Sequence, residues 1–173
     1  MPANVKGRFT LYDSEESRDF MFNPNMIVDG KPATFGVVSI GGSSHPIYQF
    51  GSGDEHAISF ELYLDGDRGR VGKVRDTLSI ADDLNWYKSL TYPDTYNNGI
   101  AAVAPQKVLW TFGNYATSVL VIVVSAQINV TMFTPDLDPV RATIAIELKE
   151  IVTRYRTAAD IRNPPLSIRR RRS

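Results

Sequence analysis

Residues 128–150, INVTMFTPDLDPVRATIAIELKE, decide the fold. After the central turn the chain alternates with period two. Val140, Ala142, Ile144, Ile146 and Leu148 fall on one face, and Arg141, Thr143, Glu147 and Lys149 on the other. Successive side chains of a strand point to opposite faces, so this spacing lets one face be buried while the other meets water or a partner. Before the turn, Ile128, Val130 and Met132 alternate with Asn129, Thr131 and Phe133. Pro135, Asp136, Asp138 and Pro139 supply the turn, because Pro fixes φ and Asp bonds locally to its own backbone. The spacing predicts a hairpin of long strands, with nothing catalytic in it.

Outward from the hairpin, the same reading extends to most of the chain. Thr117 to Phe133 is a long β-branched run, expected as one strand or a bent pair. Val108 to Phe112 forms another strand, and Gly113-Asn114 a turn. His56 to Leu64 alternates well and stops at the turn signal DGDRGR. Lys6 to Tyr12 and Phe20 to Phe22 read as short strands, separated by a charged turn, DSEESRD. Phe35 to Ile40 and Pro46 to Phe50 flank a GGSSH loop. Val74 to Leu90 is the one expected helix, with Val74, Leu78, Ala81 and Leu84 at helical spacing and Tyr87 beside them. Pro93 bars its continuation, and Thr91 to Pro105 reads as a loop. The sum is a mainly β chain, an antiparallel sandwich or barrel with one packed helix.

At 173 residues, one domain over 1–153 with a tail over 154–173 is expected, able to bury about 70 % of its unfolded surface. The absence of cysteine excludes disulfides and thiolate metal sites. No apolar core for a signal peptide opens the chain, and the longest apolar run, Val119 to Val124, is far too short for a membrane helix. That run reads as sheet core, or alternatively as a ring-to-ring contact. The expectation is a soluble protein with no export signal. The formal net charge of zero hides an asymmetry. From Arg154 on there are seven basic residues and one acid, Asp160, which leaves a body near −6 and a tail near +6. Such a tail, ending in Arg169, Arg170, Arg171 and Arg172, suits an acidic surface. Without interleaved aromatics it suits nucleic acid less well.

The order of these pieces resembles the tube-like proteins of contractile injection systems and myophage baseplates. The matching elements are FMFNP (20–24), ISFELYLDG (58–66), the helix with its Tyr-Pro loop, PQKVLWTFG (105–113) and MFTPDLDPVRATIAIELKE (132–150). The resemblance spans residues 5 to 152. It implies a non-enzymatic virion subunit without cofactor, assembled in the host cytoplasm into a homohexameric ring that joins the baseplate hub and spike to the tail tube. In that fold, long strands build a continuous inner barrel with the helix outside, and DNA is only a passing cargo. Many such adaptors carry a LysM module after the tube domain, and this sequence shows a basic tail there instead. The tail is therefore expected to dock wedge or sheath-initiating proteins. Gly41, Gly42 and His45 in one loop, and Pro135, Asp136, Asp138 and Arg141 at the hairpin turn, are the other expected partner contacts.

Other chemistry finds little support. His45 and His56 lack metal-site spacing, and Ser43, Ser44 and His45 lack a nucleophile elbow. Asp65, Gly66, Asp67 and Gly69 hint at a calcium loop, but Arg68 and a missing bidentate Glu break the pattern. Asp82 with Asp83, and Asp136 with Asp138, form carboxylate pairs without a desolvating pocket for glycoside hydrolysis. The alternative from another class is a stand-alone β-sandwich module that binds a glycan or protein through Trp86, Tyr87, Trp110 or Tyr115, all of which have a core reading as well.

Overall fold

The computed structural model describes residues 5–66, 79–97, 100–153 and 155–162. It is mainly β, with antiparallel sheets and two helices. The strands are β1 (Arg8–Leu11), β2 (Ser17–Asp19), β3 (Ile27–Gly30), β4 (Ala33–Val38), β5 (Ile47–Gly53), β6 (Ala57–Asp65), β7 (Thr95–Asn97), β8 (Ile100–Val103), β9 (Val108–Phe112), β10 (Ala116–Phe133) and β11 (Pro139–Glu150). Helix α1 (Ala81–Ser89) lies between β6 and β7, and α2 (Ala158–Arg162) follows β11. The main sheet has the order β2-β1-β9-β10-β11-β6-β3; β4-β5 and β7-β8 are separate two-stranded ribbons.

The period-two pattern of β11 is realised in full. Val140, Ala142, Ile144, Ile146 and Leu148 are all buried, and β11 pairs with β10 on one side and β6 on the other. On β6, Ile58, Phe60, Leu62 and Leu64 face the same core. Strand β10 keeps its apolar side inward by changing parity. Val121 and Val123 point in, the register with β11 shifts between Val123 and Ser125, and then Ala126, Ile128 and Val130 pack on the core. One extra residue at a bulge re-aims every side chain after it. The run 119–124 is thus only partly core: Ile122 and Val124 stand on the outer face.

The sheet curls until its two halves meet across the core. Phe9 on β1 lies 6.2 Å from Phe60 on β6, and Trp110 on β9 stacks on the same Phe60 at 5.7 Å. Phe20 sits edge-on to Phe9 at 5.0 Å. Helix α1 closes this core with Leu84, Trp86 and Tyr87. Tyr87 packs on Phe9 at 6.3 Å, and its burial pushes its hydroxyl pKa up. Arg18 holds the helix from β2, pairing with Asp83 and lying 5.2 Å over the Trp86 ring. Acidic Asp82 and Asp83 in the first turn and Lys88 in the last match the helix dipole.

Several local expectations are corrected. The helix starts at Ala81, after non-helical Ser79 and Ile80; the expected 74–78 portion lies outside the described residues. The strand near residue 20 is Ser17–Asp19, inside the segment read as a charged turn, because its backbone pairs with β1 whatever its side chains. The loop 91–105 contains the β7-β8 ribbon, and β3 had not been anticipated at all. A short second helix, α2, follows the sheet, where Thr157 accepts and donates bonds with Asp160 at its start.

Candidate assembly interface

Three surfaces of the described residues are left at least partly uncovered within the chain. The first is a strand border. Strand β10 has 18 residues, of which Ala116 to Val121 pair with β9. From Ile122 to Phe133 its pairing is with β11 alone, leaving the opposite border open over 12 residues. A border of this length presents a row of unpaired backbone donors and acceptors, which a second strand can satisfy. Met132 and Phe133 at its far end are exposed.

The second is the β4-β5 hairpin. Both strands are exposed along their whole length. Yet the hairpin carries Phe35, Val37, Val38, Ile47, Tyr48 and Phe50, between 46 % and 67 % exposed. Phe35 and Phe50 touch each other edge-on at 5.7 Å across the ribbon. At its tip, Gly42 takes a left-handed φ of +84°, Ser43 donates to the His45 carbonyl oxygen at 2.7 Å, and Ser44 Oγ lies 2.8 Å from His45 Nδ1.

The third is the polar face of the sheet. Ser59, Glu61, Ser125, Gln127, Thr143 and Glu147 line a groove of about 990 Å³, walled by the 21–26 segment. It is the side of β6, β10 and β11 opposite to the core.

The hairpin is rooted at one end of the sheet, and a cluster sits at that root. His56 is between two carboxylates: Nδ1 lies 2.6 Å from Glu150 Oε2 and Nε2 lies 2.5 Å from Asp29 Oδ1. Tyr115, in the β9-β10 turn, donates to Asp29 Oδ2 at 2.6 Å, and Arg156 pairs with Glu150 Oε1 at 2.9 Å. Burial opposes the charged imidazole, but the hydrogen bonds and charges of Glu150 and Asp29 together raise its pKa. Burial also opposes ionised Asp29, yet the Tyr115 and His56 bonds outweigh it and lower its pKa. The bond to Asp29, followed by burial, raises that of Tyr115.

The expected contact residues fall at opposite ends. Gly41, Gly42 and His45 form the tip of the β4-β5 hairpin. Pro135, Asp136 and Asp138 form the β10-β11 turn, closed by Thr134 N–H donating to the Asp138 carbonyl oxygen at 2.9 Å. Leu137 there has φ +67° and is 78 % exposed. The ends are opposite because β3 runs antiparallel to β6, so Gly30 lies beside Ala57 while Arg141 lies beside Asp65. Arg141 belongs to the second group by position, but its guanidinium is engaged within the chain, 3.2 Å from Asp65. Arg169 to Arg172, and Asp67 to Gly69 of the calcium-loop reading, lie outside the described residues.

Among the described residues no cluster of His, Asp and Glu could hold a metal. Asp83 of the first carboxylate pair is tied to Arg18. Trp110, Tyr87 and Trp86 are buried, so three of the four rings of the glycan reading belong to the core, and Tyr115 alone is exposed.

A family model described as contractile injection system tube protein matches residues 6–159, a span that takes in every element from β1 to β11. The chain belongs to the contractile injection system tube protein family. No curated protein matches it. Its role is thus a structural, tube-like one in a contractile injection machine. The open border of β10 and the bare hairpin become intelligible in a tube protein, which works as one of many copies.

Proposed function

We propose that this chain is a ring subunit, homohexameric, at the junction between the baseplate hub and spike and the tail tube of a contractile virion tail. The observation that carries the reading is the 12-residue open border of β10. The other free border of the same wall, β3, differs from it in length and sequence. Two unlike borders that complement each other give a head-to-tail contact, and such a contact closes into a ring when the rotation per copy divides a full turn. The core side of the wall is already covered by β1, β9 and α1, so the polar face is the one left for the channel. Its Ser, Thr, Gln and Glu side chains let DNA or another passing cargo slide without adhering.

The position near the hub rests on the ends and the tail. The irregular 41–46 tip can adapt to a partner of different symmetry, whereas the regular 134–138 turn suits a repeating neighbour. The basic tail from residue 154 offers a docking element for acidic wedge or sheath-initiating proteins. Native mass spectrometry and negative-stain microscopy of the purified chain test the ring: six copies around a channel are expected, and a monomer at all concentrations, even with hub and tube proteins present, defeats it. Deleting residues 157–173 is expected to leave ring formation intact and abolish attachment of the outer proteins; unchanged attachment removes the tail from the scheme.

A further inference from the structure

Asp29 and His56 stand on either side of the β4-β5 hairpin in the sequence, one just before it and one just after it. Their 2.5 Å contact therefore closes the base of the hairpin. Below it, Lys31 Nζ donates to the Asp54 carbonyl oxygen at 2.8 Å and Thr34 Oγ1 donates to the Asp54 carboxylate at 3.1 Å. These bonds hold the two legs to each other but not to the body. The root is joined to the body by the backbone pairing of β3 with β6, Asp29 beside Ile58 and Gly30 beside Ala57, and by side-chain links from His56 to Glu150 at the end of β11 and from Asp29 to Tyr115 in the β9-β10 turn.

We propose that His56 is a protonation-controlled clasp that reinforces the β3-β6 pairing at the root of the β4-β5 hairpin, tightened when the imidazole is doubly protonated and loosened when it loses a proton. An ionised carboxylate only accepts, and a neutral imidazole has one N–H, so both contacts are satisfied together only by the imidazolium. Each carboxylate also meets a second donor, Asp29 from Tyr115 and Glu150 from Arg156. The raised pKa of His56 agrees with this geometry.

The two contacts do not break equally. The Glu150 side chain is 7 % exposed and that of Asp29 is 34 % exposed. The buried carboxylate loses more without its donor, because water cannot replace it. A neutral His56 therefore keeps its proton on Nδ1 toward Glu150 and lets go of Asp29 Oδ1, which water then serves while Oδ2 keeps its bond from Tyr115. The charged groups around the imidazole are Asp29, Glu150 and Arg156, with Tyr115 behind Asp29 and the Glu55–Lys149 pair alongside. The clasp stiffens the hairpin root below its pKa and loosens it above.

This inference concerns the isolated chain and stands or falls separately from ring assembly. The test is NMR titration of His56 in the full chain, together with amide hydrogen exchange of peptides covering 27–33 at pH 6 and pH 9, corrected for intrinsic rates. His56 should titrate above the ordinary imidazole value of 6.5, with both ring nitrogens protonated below its midpoint. Protection of 27–33 should fall about tenfold for each unit by which the clasp raises the pKa. H56Q should remove that pH dependence. A His56 midpoint at or below 6.5, or unchanged protection across its titration in the wild-type chain, overturns the proposal without recourse to any variant.

Discussion

If the bare hairpin is an assembly arm, removing its rings must damage the assembly and spare the subunit. The perturbation is the pair F35S and F50S. Phe35 is 54 % and Phe50 61 % exposed, and within the chain their ring contact is with each other. Taking about 200 Å² for a phenylalanine side chain, about 230 Å² of ring surface faces solvent in the two together. At about 25 cal/mol per Å², covering it completely is worth about 6 kcal/mol, an upper limit before ordering costs. If a third survives as net affinity, each contact between copies loses about 2 kcal/mol, near thirtyfold in its dissociation constant. The subunit itself loses the aromatic pair, about 0.5–1.5 kcal/mol. Sedimentation velocity over a dilution series should show the double variant assembling only at concentrations at least thirtyfold higher than wild type, with thermal unfolding of the monomer almost unchanged. Assembly at the wild-type concentration refutes the arm. A variant monomer destabilised by more than about 3 kcal/mol refutes it too, since the rings would then be supporting their own fold.

The other expected outcomes concern the core and the pH response. Ile144 is fully buried between Ile128 and Leu62 on the flanking strands, so I144A should cost about 3–4 kcal/mol in urea unfolding at unchanged m-value. G7A should cost about 1–3 kcal/mol or more by overpacking, because a Cβ at Gly7 would lie 2.4 Å from Phe20 Cδ2 and 2.7 Å from Phe112 Cδ2, both in rigid rings; differential scanning calorimetry reads it directly. The His56 pKa is raised from 6.5, so its contribution to stability is complete below that value and is lost as pH rises through the folded-state pKa. Asp29 is lowered, so its contribution is present above the ordinary carboxylate range and is lost only on strong acidification. The wild-type melting temperature should therefore fall from pH 6 to pH 9 by more than that of H56Q; equal falls would deny the imidazole its stabilising role.

What the sequence revealed depends on the distance over which each feature is encoded. The β10-β11 hairpin, β6 and β9 were legible because period-two alternation is a local property, and Pro135, Asp136 and Asp138 mark their own turn. The parity change at Val124 and Ser125 was hidden in an unbroken β-branched run, where an extra residue leaves no compositional trace. Edge strand β2 looks like a charged turn, since Ser17, Arg18 and Asp19 belong to it through backbone pairing with β1. Strand β3 did leave a signal, Ile27-Val28 running into Asp29-Gly30, a β-branched pair before a turn. The clasp left none: Asp29 is 27 residues and Glu150 94 residues from His56, so no spacing rule connects them. The helix face was partly legible through Leu84 and Tyr87, whereas Trp86 is buried because Arg18, from a distant strand, covers its ring.

The hairpin 33–53 shows where pattern reading reaches a physical boundary. TFGVV and IYQF have the composition of core strands, and a rule that places apolar residues inside would bury them. In the folded chain every residue of both strands is exposed. Meanwhile the wall of β6, β10 and β11 opposite to the core carries Ser59, Gln127, Thr143 and Glu147. One subunit thus exposes apolar surface on its projecting hairpin and polar surface along its sheet, an arrangement a solitary particle does not favour. Both choices become favourable together once neighbouring copies cover the arm and the long border of β10 while the polar wall stays hydrated. Hydrophobic periodicity measures whether a face will be covered, and it is silent about whether the cover comes from the same chain. In this protein that distinction lies in the strand bookkeeping, in an 18-residue β10 beside a 12-residue β11, with β9 too short to finish the match.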